Sequence, residues 1–242
     1  MLTKNEIKYI QSLYQKKHRD KEDFFVVEGP KIASEVLKSN YTIKKIYATS
    51  EWLNTNDIDR HNIITVTDEE LKKISSLTTP NKVVMLIKKP ILPVISSYNA
   101  LVLVLDGIQD PGNFGSIIRL ADWFGIKQVL CSTDCADIYN SKVLQSTMGS
   151  FLRVNVAYTH DLAITIQQSK LPVYGALLSG TSIYTIPKVN SGFIIIGNEG
   201  KGIRENLLPL IEMPVTIPKL GAAESLNAAV ATGIILSHLI KP

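Results

Sequence analysis

Two short runs built only from apolar residues, Leu101-Val102-Leu103-Val104-Leu105 and Phe193-Ile194-Ile195-Ile196, most constrain what this chain can fold into. Neither shows the alternation of a strand with one wet face, and each is too short for an ordinary helix. Each fits a strand covered on both sides. Between and after them the pattern alternates. A helix is expected over 116–124, a strand over 128–131, a helix near 140–148, a strand over 152–157, a helix near 162–168 and a strand over 173–177. Helix 203–210, strand 215–217 and helix 225–239 follow the second apolar run. Regular alternation of strand and helix predicts an α/β fold with a mostly parallel sheet covered on both faces.

The first ninety residues carry a smaller α/β pattern. Ile7, Ile10 and Leu13 mark one face of an opening helix, 24–27 reads as a buried strand, and Gly29-Pro30 starts a helix with Ile32, Val36 and Leu37 inward. Strands are expected over 43–48, 63–66 and 83–87, with Thr67 or Asp68 capping a helix over 69–74. From 88 to 99 the periodicity stops among Pro90, Pro93, Ser96 and Ser97. The expected organisation is a domain over 1–88, a linker over 89–99 and a larger domain over 100–242.

Composition excludes several classes. With 45% apolar residues in 242, the chain has ample material for a core. Its apolar runs fall far short of the roughly 20 residues needed to span a bilayer, and 1–17 has no apolar signal-like region, so a cytoplasmic protein is expected. Cys131 and Cys135 have no neighbouring His at ligand spacing and are read as reduced structural thiols. His18, His61, His160 and His238 are scattered, and no metal-ligand cluster is visible. Charge is informative once localised. Residues 1–21 hold Lys4, Lys8, Lys16, Lys17, Arg19 and Lys21 against Glu6 and Asp20, an excess of +4 that equals that of the whole chain. Such a cluster is either a phosphate-facing patch, with Lys16, Lys17 and Arg19 as candidate nucleic-acid contacts, or a solvated helix face.

Three separated segments fit a site better than a plain core. They are 106–119, which opens Asp106-Gly107-Ile108-Gln109-Asp110-Pro111-Gly112-Asn113 and ends at Arg119, then Gly197-Asn198-Glu199-Gly200, then Ile217-Pro218 with Ser225-Leu226-Asn227. The first has two glycines at P-loop spacing, but Asn113 and Phe114 stand where Lys and Ser/Thr would be needed for phosphates and magnesium. Gly107, Gly112 and Gly115 also miss the dinucleotide fingerprint. Asp-Pro-Gly is ordinary turn chemistry, which leaves Asn113 and Arg119 unexplained. Ser225 sits where a helix begins and suits an N-cap, whereas Asn227 lies beyond that position.

Together, and in this order, the three segments resemble the motifs of the SpoU/TrmH family of RNA ribose methyltransferases. The resemblance covers most of 101–242, and the segment Val26-Val27-Glu28-Gly29 with its surroundings resembles the L30e-like substrate-binding domain of many members. It implies a SPOUT fold with a trefoil knot, S-adenosylmethionine as cofactor, a homodimer, and methylation of a ribose 2′-hydroxyl in structured RNA, ribosomal or transfer. It further implies that Asn113, Arg119, Glu199, Ser225 and Asn227 line the catalytic site. Leu178, Gly197, Asn198, Gly200, Ile217, Pro218 and Leu226 are the cofactor-binding positions it implies. Arg119 is by resemblance the arginine that assists deprotonation of the hydroxyl, but a guanidinium is effectively always protonated. Phosphate positioning and stabilisation of the developing alkoxide suit it better, and a surface salt bridge to Asp122 is the structural alternative. Lys219 departs from the Met of many relatives. A non-catalytic RNA-binding relative would be expected to lose the five polar residues, and all five are present.

Overall fold

The structure, a computed structural model, describes residues 2–56, 58, 62–91 and 100–240. It divides into two compact units, Met1–Ile91 with Asp137–Leu152, and Leu92–Ala136 with Arg153–Pro242. Most of the expected linker, and His61, lie outside the described residues.

The first unit is a four-stranded sheet in the order β1-β4-β2-β3, from β1 (Phe24–Glu28), β2 (Ile43–Ala48), β3 (Ile63–Thr65) and β4 (Val83–Lys88). Helices α1 (Lys4–Ser12) and α5 (Asp68–Ile74) each begin with a reciprocal capping box, Thr3 with Glu6 and Thr67 with Glu70. Pro30 occupies the first turn of α3 (Pro30–Leu37) as its fixed φ favours. Two further short helices, α2 (Lys16–Glu22) and α4 (Ser50–Asn54), carry too few apolar residues to show a period. Ile10, Leu13, Tyr47, Leu71 and Ile74 form the core on one side of the sheet. On the other side Phe25 meets Tyr139 at 4.5 Å between ring centroids, and Tyr41 and Phe151 complete the aromatic cluster. Residues 137–152, with α7 (Ser141–Thr147), therefore pack within this unit although they follow β6 in the chain. Buried Glu28 of the Val-Val-Glu-Gly segment accepts hydrogen bonds from Tyr14, Ser75 and Ser76, so it ties helix and loop to the sheet.

Arg19 corrects the charge reading. It is 2% exposed, its guanidinium donates to the Leu13 carbonyl at 2.9 Å and it pairs with Asp137. Lys16 and Lys17 remain exposed, so the surface basic cluster survives without Arg19.

The second unit is a six-stranded sheet in the order β10-β8-β9-β5-β6-β7, and every pairing is parallel. Its strands are β5 (Leu101–Leu105), β6 (Gln128–Ser132), β7 (Asn155–Thr159), β8 (Val173–Ser182), β9 (Gly192–Ile196) and β10 (Met213–Thr216). The two apolar runs are the adjacent strands β5 and β9, buried along their whole length. They pair flush, Leu101 with Gly192 through Leu105 with Ile196, and Asp106 N–H continues the ladder to the Ile196 carbonyl at 2.9 Å. The polar residues that follow each run thus emerge about one strand spacing, ~4.8 Å, apart.

Five expectations change. Helix α6 spans Pro111–Trp123, five residues earlier than expected at its start, because Asp110 caps it and Pro111 takes the first turn. What reads as a long loop is the opening of a helix. Helix α9 is Ala228–Leu239, and Asn227 is its N-cap in place of Ser225. The expected helix over 203–210 is a turn and a 3-10 segment, Leu208–Leu210, since Pro209 interrupts it and the Arg204 N–H is spent on Asp106. Strand β7 also lies about two residues later than expected, after a 3-10 turn Ser150–Leu152, and β8 runs on to Ser182. Helix α8 (Leu162–Ser169) agrees with expectation. The small start of α9 lets α6 approach, with Leu120 methyls 3.5 Å from where a Gly233 Cβ would stand.

Removing a partner from a buried ion pair costs about 3 kcal/mol or more, whereas exposed substitutions stay within about 0.5 kcal/mol. Thermal unfolding of the full chain should accordingly show a clear drop for Arg19→Ala and almost none for Lys16→Ala or Lys17→Ala. Equal melting temperatures for all three would refute the buried role of Arg19.

Candidate active site

The site lies at the carboxyl ends of β5 and β9, where α/β sheets place ligands. Three side chains are joined in a line. Asn227 Oδ1 accepts the Ala229 and Val230 N–H groups at 2.9 and 3.2 Å. Its Nδ2 is therefore turned outward and donates to Asn113 Oδ1 at 2.8 Å. That in turn leaves Asn113 Nδ2 to donate to Glu199 Oε1 at 2.7 Å. The free N–H groups of α9 thus dictate the orientation of both amides, and the chain ends on a carboxylate.

Asn198 has a different task. Its Nδ2 donates to the Gly107 carbonyl at 2.7 Å, while its Oδ1 accepts from Gly200 N–H and Lys201 N–H at 2.9 and 3.1 Å. Its backbone exchanges two hydrogen bonds with Gly202, closing a tight return with exposed Glu199 at its tip. Gly197 is required by packing. A Cβ there would stand 2.3 Å from the Gly202 carbonyl carbon and 2.4 Å from the Ile203 nitrogen.

Beneath this return lies a polar cluster that composition and motif spacing did not mark as catalytic or binding residues. Asp106, 1% exposed, accepts the Arg204 N–H at 2.8 Å through Oδ2 and lies 3.2 Å from Arg204 Nε through Oδ1. That second contact is an ion pair without a well-aligned hydrogen bond. Arg204 also pairs with Asp134, whose other oxygen accepts from Ser132 Oγ at 2.7 Å. Ser132 Oγ accepts the Gly107 N–H at 2.9 Å. Burial raises the Asp106 carboxyl, with Arg204 opposing, while the Ser132 hydroxyl and then Arg204 hold Asp134 below the usual range. Cys131 and Cys135 are buried and unbridged. Burial raises the Cys131 thiol, and the hydrogen bond from Cys131 lowers Cys135 to about 7. The signal for this cluster was positional, since Asp106, Ser132 and Asp134 all stand at or just past strand carboxyl ends.

Arg119 and Ser225 are not joined to the line. Both are exposed, and neither makes a hydrogen bond or ion pair with the described residues. Arg119 projects from α6 six residues beyond Asn113, about 9 Å along the helix. Asp122, the partner in the salt-bridge alternative, instead takes Arg153 Nε at 2.8 Å. Leu178, Ile217, Pro218 and Leu226, which the family resemblance implies as cofactor positions, lie along the neighbouring strands and the loops after them. Leu178 in β8 is exposed, its carbonyl accepting Thr216 Oγ1 at 3.1 Å, and Ile217 and Pro218 follow β10 directly. Leu226, half exposed, precedes the cap of α9. These loops present apolar side chains and main-chain groups, a surface that suits a planar base.

The SpoU rRNA Methylase family matches residues 100–237, which include every residue of this site. The chain belongs to the SpoU rRNA methylase family. An MRM3-like substrate binding domain matches residues 4–85, the sheet of the first unit. Among curated relatives, the 23S rRNA (guanosine(2553)-2′-O)-methyltransferase RlmP of Bacillus subtilis is 32% identical over 239 residues, covering 97% of this chain and 95% of its own. A Porphyromonas gingivalis protein assigned to the TrmH family of RNA methyltransferases superposes with a TM-score of 0.91 at 36% identity, covering 99% and 98% of the two chains. An AdoMet-bound rRNA methyltransferase from Sinorhizobium meliloti superposes at 0.86 with 29% identity, covering 99% and 95%. The line of three side chains takes one residue from each of the segments 106–119, 197–200 and 217–227, all within the matched region.

Asn227 serves both the helix and the line, and the two can be separated. Asn227→Asp keeps the accepting oxygen of the cap but loses the donor to Asn113, so the melting temperature should hold while methyl transfer falls at least tenfold. Asn227→Ala should lose about 1 kcal/mol as well. Full activity in Asn227→Asp would show that the donor to Asn113 is dispensable.

Proposed function

We propose that this SpoU methylase transfers the methyl group of S-adenosylmethionine to a ribose 2′-hydroxyl in ribosomal RNA, with guanosine in 23S rRNA as the substrate class. The hydrogen-bonded line Asn227-Asn113-Glu199 carries this reading, because it fixes a carboxylate at the strand ends beside loops that suit an adenosine. The substrate class rests on the likeness to the Bacillus subtilis enzyme.

The cofactor supplies an activated sulfonium methyl. The chain must do the rest: hold the nucleotide so that its hydroxyl lies in line at about 3 to 3.5 Å, and accommodate the departing proton. Leu178, Ile217 and Leu226 flank the adenosine, and the backbone at Gly197 and Gly200 together with Asn198 and Pro218 shapes the loops around it. Glu199 accepts a hydrogen bond from the ribose and orients it. Its second oxygen is left for this by the single bond from Asn113. Arg119 grips an RNA phosphate and stabilises negative charge as the proton leaves for phosphate or water. Ser225 contributes a further hydroxyl from the loop before α9.

The first unit supplies RNA affinity through Lys16 and Lys17, and the chemistry belongs to 100–242. Asn227 meets Asn113 although β10 lies three strands from β5, so the chain after β10 returns across the ends of β8 and β9. That course supports a trefoil knot, an exception to the rule against threading. A homodimer in the cytoplasm completes the proposal, its contact drawing on Val230 of α9 and Trp123 of α6, which is 81% exposed. Among the described residues no helix is long and apolar enough to cross a membrane.

Titration calorimetry with a chelator present should detect S-adenosylmethionine binding, and a strict need for a divalent ion would refute the reading. Arg119→Ala should retain the fold and cofactor affinity yet slow single-turnover transfer by on the order of a hundredfold, with Arg119→Lys well below wild type. Near-normal turnover in Arg119→Ala would remove it from the chemistry. Mapping 2′-O-methyl sites in total RNA with and without the gene identifies the nucleotide, and loss of a transfer RNA site alone would overturn the ribosomal assignment.

Lys16→Glu with Lys17→Glu should weaken RNA binding and reduce the salt slope by about two, since fewer counterions are released. An unchanged slope would show these lysines to be a solvated face.

A further inference from the structure

Glu199 owes its place to contacts made some distance along the chain from it. The return that carries it is closed internally by Asn198 and Gly202, so it moves as one piece. Two straps join that piece to the end of β5. At its start Asn198 Nδ2 donates to the Gly107 carbonyl, and just past its end Arg204 N–H donates to Asp106 Oδ2. The Gly107 carbonyl is itself aimed by a ring of polar contacts. Gly107 N–H reaches Ser132 Oγ, Ser132 reaches Asp134, Asp134 pairs with Arg204, and Arg204 Nε returns to Asp106, the residue before Gly107. Gly107 has φ +70°, in the region that favours glycine, and a Cβ there would lie 3.5 Å from both Arg204 and Asp134. The ring therefore surrounds a turn whose backbone conformation is restricted and which lies close beside both Arg204 and Asp134.

The guanidinium of Arg204 is the one group in this ring that touches both carboxylates. Asp106 is buried, and an ionised carboxylate out of water needs a counter-charge or donors to remain in place. Asp134 is nearly half exposed and can be solvated without help. The dependence is thus asymmetric: without the guanidinium, buried Asp106 keeps one main-chain donor and has lost the counter-charge at Oδ1, and Asp106 is the anchor of the strap.

We propose that Arg204 is a positioning residue for Glu199, acting through Asp106 and the Gly107 carbonyl to set the return that carries the catalytic carboxylate. The inference rests on the reading of Glu199 as the residue that orients the ribose. Arg204 on this account adds nothing to cofactor affinity and acts on the rate of transfer.

A double-mutant cycle in the full-length protein tests it, with single-turnover methyl transfer to ribosomal RNA extracted from cells lacking the gene. Arg204→Ala should lower the transfer rate at least tenfold while the S-adenosylmethionine Kd by calorimetry stays within threefold. In a Glu199→Gln background the same substitution should cost less than twofold, because there is no carboxylate left to misplace. Arg204→Lys keeps a cation that cannot reach both carboxylates as a fork does, and should recover part of the rate only where Glu199 is present. It also serves as the test if Arg204→Ala fails to fold. Equal losses in the two backgrounds, with Glu199→Gln itself slow, would overturn the positioning role and leave the role of Glu199 standing. A Glu199→Gln protein with wild-type turnover would overturn the reading of Glu199, and the positioning role with it.

Discussion

The flush parallel pairing of β5 with β9 is the constraint on which the site depends. Both strands are covered on each face, so neither can shift register without moving a row of branched side chains out of the core. Their ends are consequently level, and the first polar residues past those ends meet. Asp106 and Gly107 on one side, Asn198 and Arg204 on the other, are in contact because an apolar ladder of five pairs ends where it does. Hydrophobic burial thus sets the coordinates of a polar site.

Direction is added by a helix. The unpaired N–H groups at the start of α9 settle which way Asn227 faces, and two amides carry that choice to Glu199. Neutral amides are suited to this. Each has one donor side and one acceptor side, so orienting the first orients the rest. A lysine or carboxylate in place of Asn113 would satisfy one neighbour and repel or ignore the other.

The strands and most helices were legible because burial writes either an unbroken apolar run, as in β5 and β9, or a helical period, as in α3, into the sequence. The three site segments stood out because they place Asn113, Glu199 and Asn227 together with glycines and prolines just past apolar strands. What escaped depends on partners far along the chain. Arg19 reads as one more surface cation until Asp137, 118 residues away, is seen beside it. Arg204 and Asp106 are 98 residues apart, and neither alone signals a pair. Ser225 and Asn227 are both good caps by local chemistry, and it is Asn227 that takes the α9 N–H groups while also reaching Asn113, 114 residues away. The start of α6 was concealed for another reason: Asp110-Pro111-Gly112 serves a turn as readily as a helix start, and the bonds from Asn113 N–H to the Asp110 side chain and from Phe114 N–H to the Asp110 carbonyl distinguish the two.

The double duty of Asn227 couples local opening of a helix to the state of a carboxylate. The amides of Ala229 and Val230 are held by the same oxygen whose amide partner leads to Glu199. Their exchange with solvent deuterium is governed by how often that cap breaks. Any displacement of Glu199 pulls on Asn113, and through it on the cap. The first turn of α9 is thus a built-in reporter, and two backbone amides register where the carboxylate stands.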